Sequence, residues 1–206
     1  MKGLLTKDFR ILAGQKRYFT IIILIALIFL CSGQPAQIIV GYCTMFGMLF
    51  TVNTISYDEF DHGYLFLFTL PVSRKDYVLE KYVFMLLCGG GFWAVSAAAG
   101  FVADYIRGDV VSLLEWLMPM FLILLEMTIF LAVMLPVSLK YGMEKSRTAT
   151  MILGFAVLGA AIAARKLLPE NFAGGLRWSA VVFLVSLATL AVSFAGSIRI
   201  MQKKVF

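Results

Sequence analysis

Residues 53–81 read NTISYDEFDHGYLFLFTLPVSRKDYVLEK, a polar island between two long apolar segments. The island holds five of the twelve acidic residues and the single histidine of the chain. Its first half has apolar residues at helical spacing, which predicts a short amphipathic helix over residues 57–68. Pro71 disfavours helical geometry at Leu70 and should end this helix. The apolar positions are Phe60, Tyr64, Leu67 and Phe68.

The second half of the island predicts the entry of another helix. Ser73 and Asp76 have the spacing of a capping box, in which both side chains satisfy amide groups of the first helical turn. The helix should start at Ser73 and continue into the apolar stretch beyond Tyr82. A connection between two spans needs only a few residues, so an island of this length indicates a surface that contacts something outside the membrane.

The composition places the chain in a bilayer. Hydrophobic residues make up 61% of the 206 positions and charged residues only 15%. A span needs roughly 20 apolar residues, and the pattern predicts an all-α integral membrane protein with one transmembrane domain, 1–206. The six predicted spans are residues 18–32, 36–55, 82–102, 113–139, 148–164 and 178–198.

The distribution of Lys and Arg predicts the orientation. With the N-terminus inside, fourteen of the 18 basic residues are cytoplasmic, as basic loops are expected to be. Both termini are then cytoplasmic in a multi-pass protein of the plasma membrane. The net charge of +6 reflects this topology and does not indicate nucleic-acid binding. The basic residues left outside are Arg107, Arg165, Lys166 and Arg177.

Residues 1–17 predict an interfacial helix, with apolar residues on one side and basic residues on the other. Asp8, followed by Phe9 and Arg10, falls within the apolar side, where a carboxylate is costly unless it is paired. Two interpretations remain open. Asp8 snorkels or pairs with a neighbouring Lys, or this face of the helix partly contacts a protein partner.

The fourth span contains Pro119 and Pro136, and Pro136 predicts a kink near its cytoplasmic end. Between the prolines lies Glu126, the one ionisable residue near the middle of any predicted span. An intramembrane carboxylate is a candidate functional residue. Glu126 is expected to be protonated, to bond a hydroxyl such as Thr128 or Ser96, or to line a watery pathway.

Small residues in the third span recur every four positions, at Gly90, Ala94 and Ala98, which predicts a closely packed helix face. A hinge at residues 89–91 is the alternative. The outer loop, 165–177, has a proline and a glycine pair that are compatible with a re-entrant segment, and the basic C-terminal tail is expected to act as an anchor.

The sequence lacks the motifs of several kinds of binding site and active site. The chain has no phosphate-binding loop, no H-E-x-x-H sequence and no paired intramembrane carboxylates. Its cysteines have no metal-ligand spacing. No metal site, cofactor or catalytic residue is therefore expected in this chain, and a membrane-embedded enzyme is disfavoured. The cysteines are Cys31, Cys43 and Cys88.

The chain resembles the small six-helix membrane subunits of bacterial ATP-binding-cassette exporters, which share the fold of ABCG-type transporters. Three segments carry the resemblance: LLTKDFRILAGQKR at 4–17, the Tyr57 to Gly63 segment, and above all LPVSRKDYVLEKY at 70–82. The resemblance implies that region 57–70 contains the helix that couples to a separate ATPase subunit, which would bind ATP and magnesium. The coupling residues would be Asp58, Glu59, Phe60, Asp61, Gly63, Tyr64, Leu67 and Arg74.

The resemblance also implies a function. Two permease copies, identical or different, would form a pathway for an amphipathic or hydrophobic substrate, as in exporters of phenol-soluble modulins or antimicrobial peptides. The alternative is a non-transporting subunit for peptide immunity or sensing. The small outer loop before the last span departs from family members with a large extracellular gate.

Overall fold

The computed structural model describes residues 2–60, 63–67, 69, 71–108, 112–167 and 176–204, with the backbone alone at 2, 65, 143–151, 153–167 and 176–178. This part of the chain contains helices and no strand, in agreement with the predicted all-α class. The helices are α1 (Lys2–Gly14), α2 (Lys16–Cys31), α3 (Ala36–Glu59), α4 (Gly63–Leu67), α5 (Arg74–Arg107), α6 (Leu113–Leu167) and α7 (Leu176–Lys203).

Within the described residues, four helices are long and apolar enough to cross a membrane: α3, α5, α6 as far as Gly142, and α7 from Ser179. They contain the predicted second, third, fourth and sixth spans. The predicted first span lies in α2, which has 16 residues and passes the same test only together with α1, from which it is bent by 64°. The predicted fifth span lies where α6 is described by backbone alone. Most of the loop 165–177 falls outside the described residues.

The chain folds as two compact units, one formed by residues 1–54 and 79–127 and the other by residues 55–78 and 128–206. In the first unit, Phe50 and Phe84 form a buried cluster against which Leu5 and Leu12 of α1 pack. In the second unit, small side chains on the buried face of α7 permit close helix contact. The buried residues of that face are Val182, Ser186, Ser193, Ser197 and Met201.

The predicted kink at Pro136 is displaced to Gly142. The helix continues through Pro136, because the Ser193 hydroxyl of α7 donates a hydrogen bond to the Ala132 carbonyl. That carbonyl is four residues before the proline, which has no N–H to offer it. Regular geometry is interrupted instead at Gly142, whose φ of 72° lies in the left-handed region that glycine adopts without strain.

The predicted close-packed face of the third span is wrong by one position. Ala94 and Ala98 are exposed, and the space that a side chain would occupy at Gly90 is open. The close approach occurs at Gly89, where an added Cβ would collide with the side chain of Met48. The α5 helix is continuous through this glycine run, so the described residues contain no hinge here.

Candidate functional site

Half of the predicted capping box is observed at the start of α5, because the Asp76 carboxylate binds the Ser73 hydroxyl and not the Ser73 amide. The Asp76 amide donates a 3.0 Å hydrogen bond to the Ser73 hydroxyl, and that hydroxyl donates at 2.6 Å to the Asp76 carboxylate. The helix begins directly afterwards, at Arg74. Satisfying a first-turn amide in this way stabilises a helix start by about 1 kcal/mol. The second half of the island is therefore a fixed helix entry.

Arg74 caps the end of another helix. One nitrogen of its guanidinium donates to the carbonyls of Met201, Gln202 and Lys204, at 2.9, 2.9 and 3.0 Å. The last carbonyls of a helix have no partner within the helix and carry its partial negative charge. A guanidinium placed here satisfies several of them at once. Arg74, which the resemblance assigned to ATPase coupling, thus joins the island to the end of α7.

Lys204, the first residue after α7, makes further contacts between the end of this helix and the rest of its unit. Its ammonium lies 3.4 Å from a Glu59 carboxylate oxygen and donates to the Leu139 carbonyl at 3.1 Å. It also lies 4.8 Å from the centre of the Tyr64 ring, within the range of a cation–π interaction. The C-terminal tail was expected to act as an anchor, and this lysine instead binds three different elements of its unit.

Tyr77 and Asp58 form the buried centre of the island. The Tyr77 hydroxyl donates a 3.0 Å hydrogen bond to the Asp58 carboxylate, and the Tyr64 ring packs edge-on against Tyr77 with centroids 5.9 Å apart. Burial raises the pKa of the Tyr64 phenol above its ordinary value. At Gly63 an added Cβ would lie 2.7 Å from the Asp58 carbonyl. Glycine is thus required for α4 to approach the end of α3.

The expected single amphipathic helix over 57–68 is not observed. The α3 helix extends to Glu59, and α4 starts separately at Gly63, so Phe60 and Tyr64 do not share one face. Tyr64 and Leu67, which the resemblance assigned to ATPase coupling, are buried within the chain, with only 4% and 8% of their surfaces exposed. Asp61 and Phe68 lie outside the described residues.

Among the described residues of the island, the exposed aromatic side chains are Tyr57, Phe60 and Phe66, and the two phenylalanines are the most exposed. Phe60 is 71% exposed and Phe66 is 73% exposed. The sequence pattern included Phe60 but missed Phe66. In a helix that starts at Gly63, Phe66 lies two positions after the buried Tyr64 and therefore points away from it. The burial of Tyr64 and Leu67, which leaves the opposite side of α4 exposed, was the observation needed to find it.

Asp8 is buried and paired at the centre of the other unit. It accepts a hydrogen bond from the Lys81 ammonium, and neither side chain has exposed surface. Lys81 also donates to the Thr54 hydroxyl at 3.1 Å, and Lys7 lies 3.3 Å from the second Asp8 oxygen. Asp8 is therefore paired within the chain, and the contact of this helix face with a protein partner stays a prediction.

A second carboxyl group lies beside this pair. Glu80 is fully buried, with one oxygen 3.7 Å from the Lys81 ammonium and no hydrogen bond to either oxygen within the described part of the chain. The neighbouring positions of α1 are more open. Phe9 is 42% exposed, with its ring edge-on to Phe84 at 5.2 Å, and Arg10 is exposed.

Glu126 is exposed at the surface of the chain, in the middle of the α6 segment that can cross the membrane. The Ser96 hydroxyl, one of its expected partners, donates instead within its own helix to the Phe92 and Trp93 carbonyls, at 2.7 and 3.1 Å. No cluster of three potential metal ligands occurs among the residues that the structure describes.

The comparison with known proteins agrees with this architecture. A family model described as ABC-2 family transporter protein matches residues 3–202. No curated protein and no solved structure matches the chain. The family match extends from α1 to the last turn of α7 and so includes the membrane-crossing helices and the island. The chain therefore belongs to the ABC-2 family of transporter membrane proteins, as the permease subunit that works with an ATP-binding-cassette ATPase.

Proposed function

We propose that the chain is the permease of an ATP-driven exporter and that the island is its contact with the ATPase. The observation that carries this proposal is the exposure of Phe60 and Phe66 on a segment fixed from within by Tyr77, Arg74 and Lys204. Large exposed aromatic side chains on a rigid support form an effective protein interface, because little conformational entropy is lost on binding. The ATPase would place an apolar pocket over the two rings.

Contacts within the second unit support the six-span arrangement. The Lys204 ammonium donates to the Leu139 carbonyl, so the end of α7 and the end of the first part of α6 lie at the same level. A chain that returns to one side of a membrane has crossed it an even number of times. Since α7 supplies one crossing, the second part of α6 supplies the other, which is the predicted span 148–164. The excess of basic residues on this side supports a cytoplasmic position for this level and for both termini.

The exposure of Glu126 supports a pathway between two permease copies. An ionised carboxylate that faces lipid at mid-span costs about 3 kcal/mol or more, so its position is consistent with a water-filled surface or a second copy. A pathway with apolar walls and few carboxylates suits an amphipathic or hydrophobic substrate, and a peptide fits this description. The second copy is either identical to this chain or a related permease.

The test of the docking assignment is the double variant Phe60→Ala/Phe66→Ala. Permease and ATPase are co-expressed, and the amount of ATPase retained on the purified permease is measured together with ATP-dependent substrate uptake into inverted vesicles. The variant should insert normally, lose most of the bound ATPase and stop transport. Tyr105→Ala, at a residue that is 70% exposed near the other end of α5, is the matched control and should behave like the parent.

Retention of the ATPase at the parental level by the double variant would refute the docking assignment. If the parent protein binds the ATPase but moves no substrate in vesicles, the chain is instead a non-transporting immunity or sensor subunit.

A further inference from the structure

The first unit contains an apolar groove that the proposed export function does not explain. Its volume is about 550 Å³, and it lies between one face of α2 and one face of α5. Buried Ile39 and Cys43 of α3 also line it, and Phe9 and Leu12 of α1 contribute from the interfacial helix. Gly91 is a lining residue with open space where a side chain would lie, which keeps the groove deep.

The interior of the groove offers almost no hydrogen-bonding partner. Ser96 is the one hydroxyl in the lining, and it is already committed to the carbonyls of its own helix. An extended peptide would bury its amide and carbonyl groups here without partners, which is strongly unfavourable. The groove therefore selects a hydrocarbon over a peptide strand.

The length of the groove matches the depth of one leaflet. The lining face of α2 runs from Phe19 to Leu30, a rise of ~17 Å. This is close to half of the ~30 Å hydrocarbon core. A single acyl chain that enters from one surface of the membrane has this reach.

The α1 end of the groove is positively charged. Lys16 is exposed and lies on the same face of α2 as the lining residues Ile23 and Leu27, seven and eleven positions later. Helical side chains tilt toward the N-terminus of their helix, so Lys16 reaches toward the bend with the interfacial helix. Lipid headgroups lie at this depth, and exposed Arg17 adds a second positive charge.

We propose that this groove binds one acyl chain of an anionic phospholipid, whose headgroup phosphate contacts Lys16. The site does not depend on the direction of transport or on the ATPase contact. The bound lipid would lie beside α1, the helix that packs on the buried Phe50 and Phe84 cluster.

The test measures lipid bound to the full-length chain in detergent by native mass spectrometry. Palmitoyl-oleoyl phosphatidylglycerol and palmitoyl-oleoyl phosphatidylcholine, which have the same acyl chains, are titrated separately. The parent should retain phosphatidylglycerol saturably, with one strong site per chain. Gly91→Leu fills the groove and should abolish that site. Gly196→Leu in α7, at another helical glycine with open space, is the matched control and should keep it.

Lys16→Gln separates the headgroup contact from the groove. It should reduce the preference for phosphatidylglycerol over phosphatidylcholine about fivefold, the effect of one basic residue at an anionic surface. Because Lys16 is exposed, this variant should fold like the parent. Binding that does not saturate, that is equal in the two glycine variants, or that has the same lipid preference in Lys16→Gln would overturn the proposal.

Discussion

The Lys81 ammonium donates a hydrogen bond to the Asp8 carboxylate with both side chains excluded from solvent. This contact fixes the interfacial helix to α5, and Thr54 of α3 shares the same ammonium. A buried ion pair adds little net stability over an apolar pair, yet removing one partner leaves an uncompensated buried charge that costs about 3–5 kcal/mol. The pair therefore makes the position of α1 sensitive to single substitutions.

Lys81→Met should be more destabilising than Asp8→Asn. The lysine change leaves the carboxyl groups of Asp8 and Glu80 without their shared cation, whereas the aspartate change leaves Lys81 with Glu80 only 3.7 Å away. Thermal unfolding in detergent, followed by tryptophan fluorescence, measures the difference. The double variant Asp8→Asn/Lys81→Met should recover a large part of the loss. Strictly additive losses would show that the pair is not coupled.

Arg74→Gln should loosen the end of α7. Three carbonyls lose their charged donor, and a helix end without its cap frays within the last turn. Trypsin should then cleave after Lys203 several times faster than in the parent, as measured by intact-mass analysis over time. The matched control is Lys75→Gln, because Lys75 is the exposed neighbour. Equal cleavage of the two variants would contradict the capping role.

Ser193→Ala should cost roughly 1–3 kcal/mol, because the Ala132 carbonyl loses its only donor from α7 among the described contacts and remains buried. Adding Pro136→Ala restores an N–H within α6 that can bond the same carbonyl, so the double variant should be more stable than Ser193→Ala. Thermal unfolding is measured for the parent, the two single variants and the double variant, which together form a double-mutant cycle. Thr189→Ala, which removes a hydroxyl bonded within its own helix, is the control and should have a small effect.

The helices that depend on composition and local chemistry could be predicted from the sequence. The entry of α5 depends on Ser73 and Asp76 alone and was found where predicted. The interruption of α6 was misplaced, because the effect of Pro136 depends on Ser193, 57 positions later in the sequence. A local pattern contains no information about such a donor.

The island shows the same limit for the candidate site. Hydrophobic spacing selected Tyr64 and Leu67 as an interface, since both are apolar or aromatic in a polar segment. Both are buried, and Tyr64 contacts Lys204 and Tyr77, which reach it only in the folded chain. The apolar and aromatic character of these residues is evident from the sequence, but their contacts in the folded chain are not. Phe66 became a candidate because the side of α4 that contains Tyr64 and Leu67 is buried.

Glu126→Gln tests the proposed pathway. The amide keeps the size and hydrogen-bonding capacity of the side chain and removes its charge and titratable proton, so insertion should be unchanged. If Glu126 faces the pathway, ATP-driven uptake into inverted vesicles should fall at least about tenfold, the effect of ~1.4 kcal/mol, or shift to a different substrate. Glu115→Gln, at an exposed carboxyl group in the first turn of the same helix, is the matched control and should transport normally.

The alternative is that the carboxyl group supports only the fold. In that case Glu126→Gln transports like the parent, while Glu126→Ala lowers expression or the unfolding temperature. Uptake and a substrate range that are both unchanged in Glu126→Gln would exclude the side chain from the pathway.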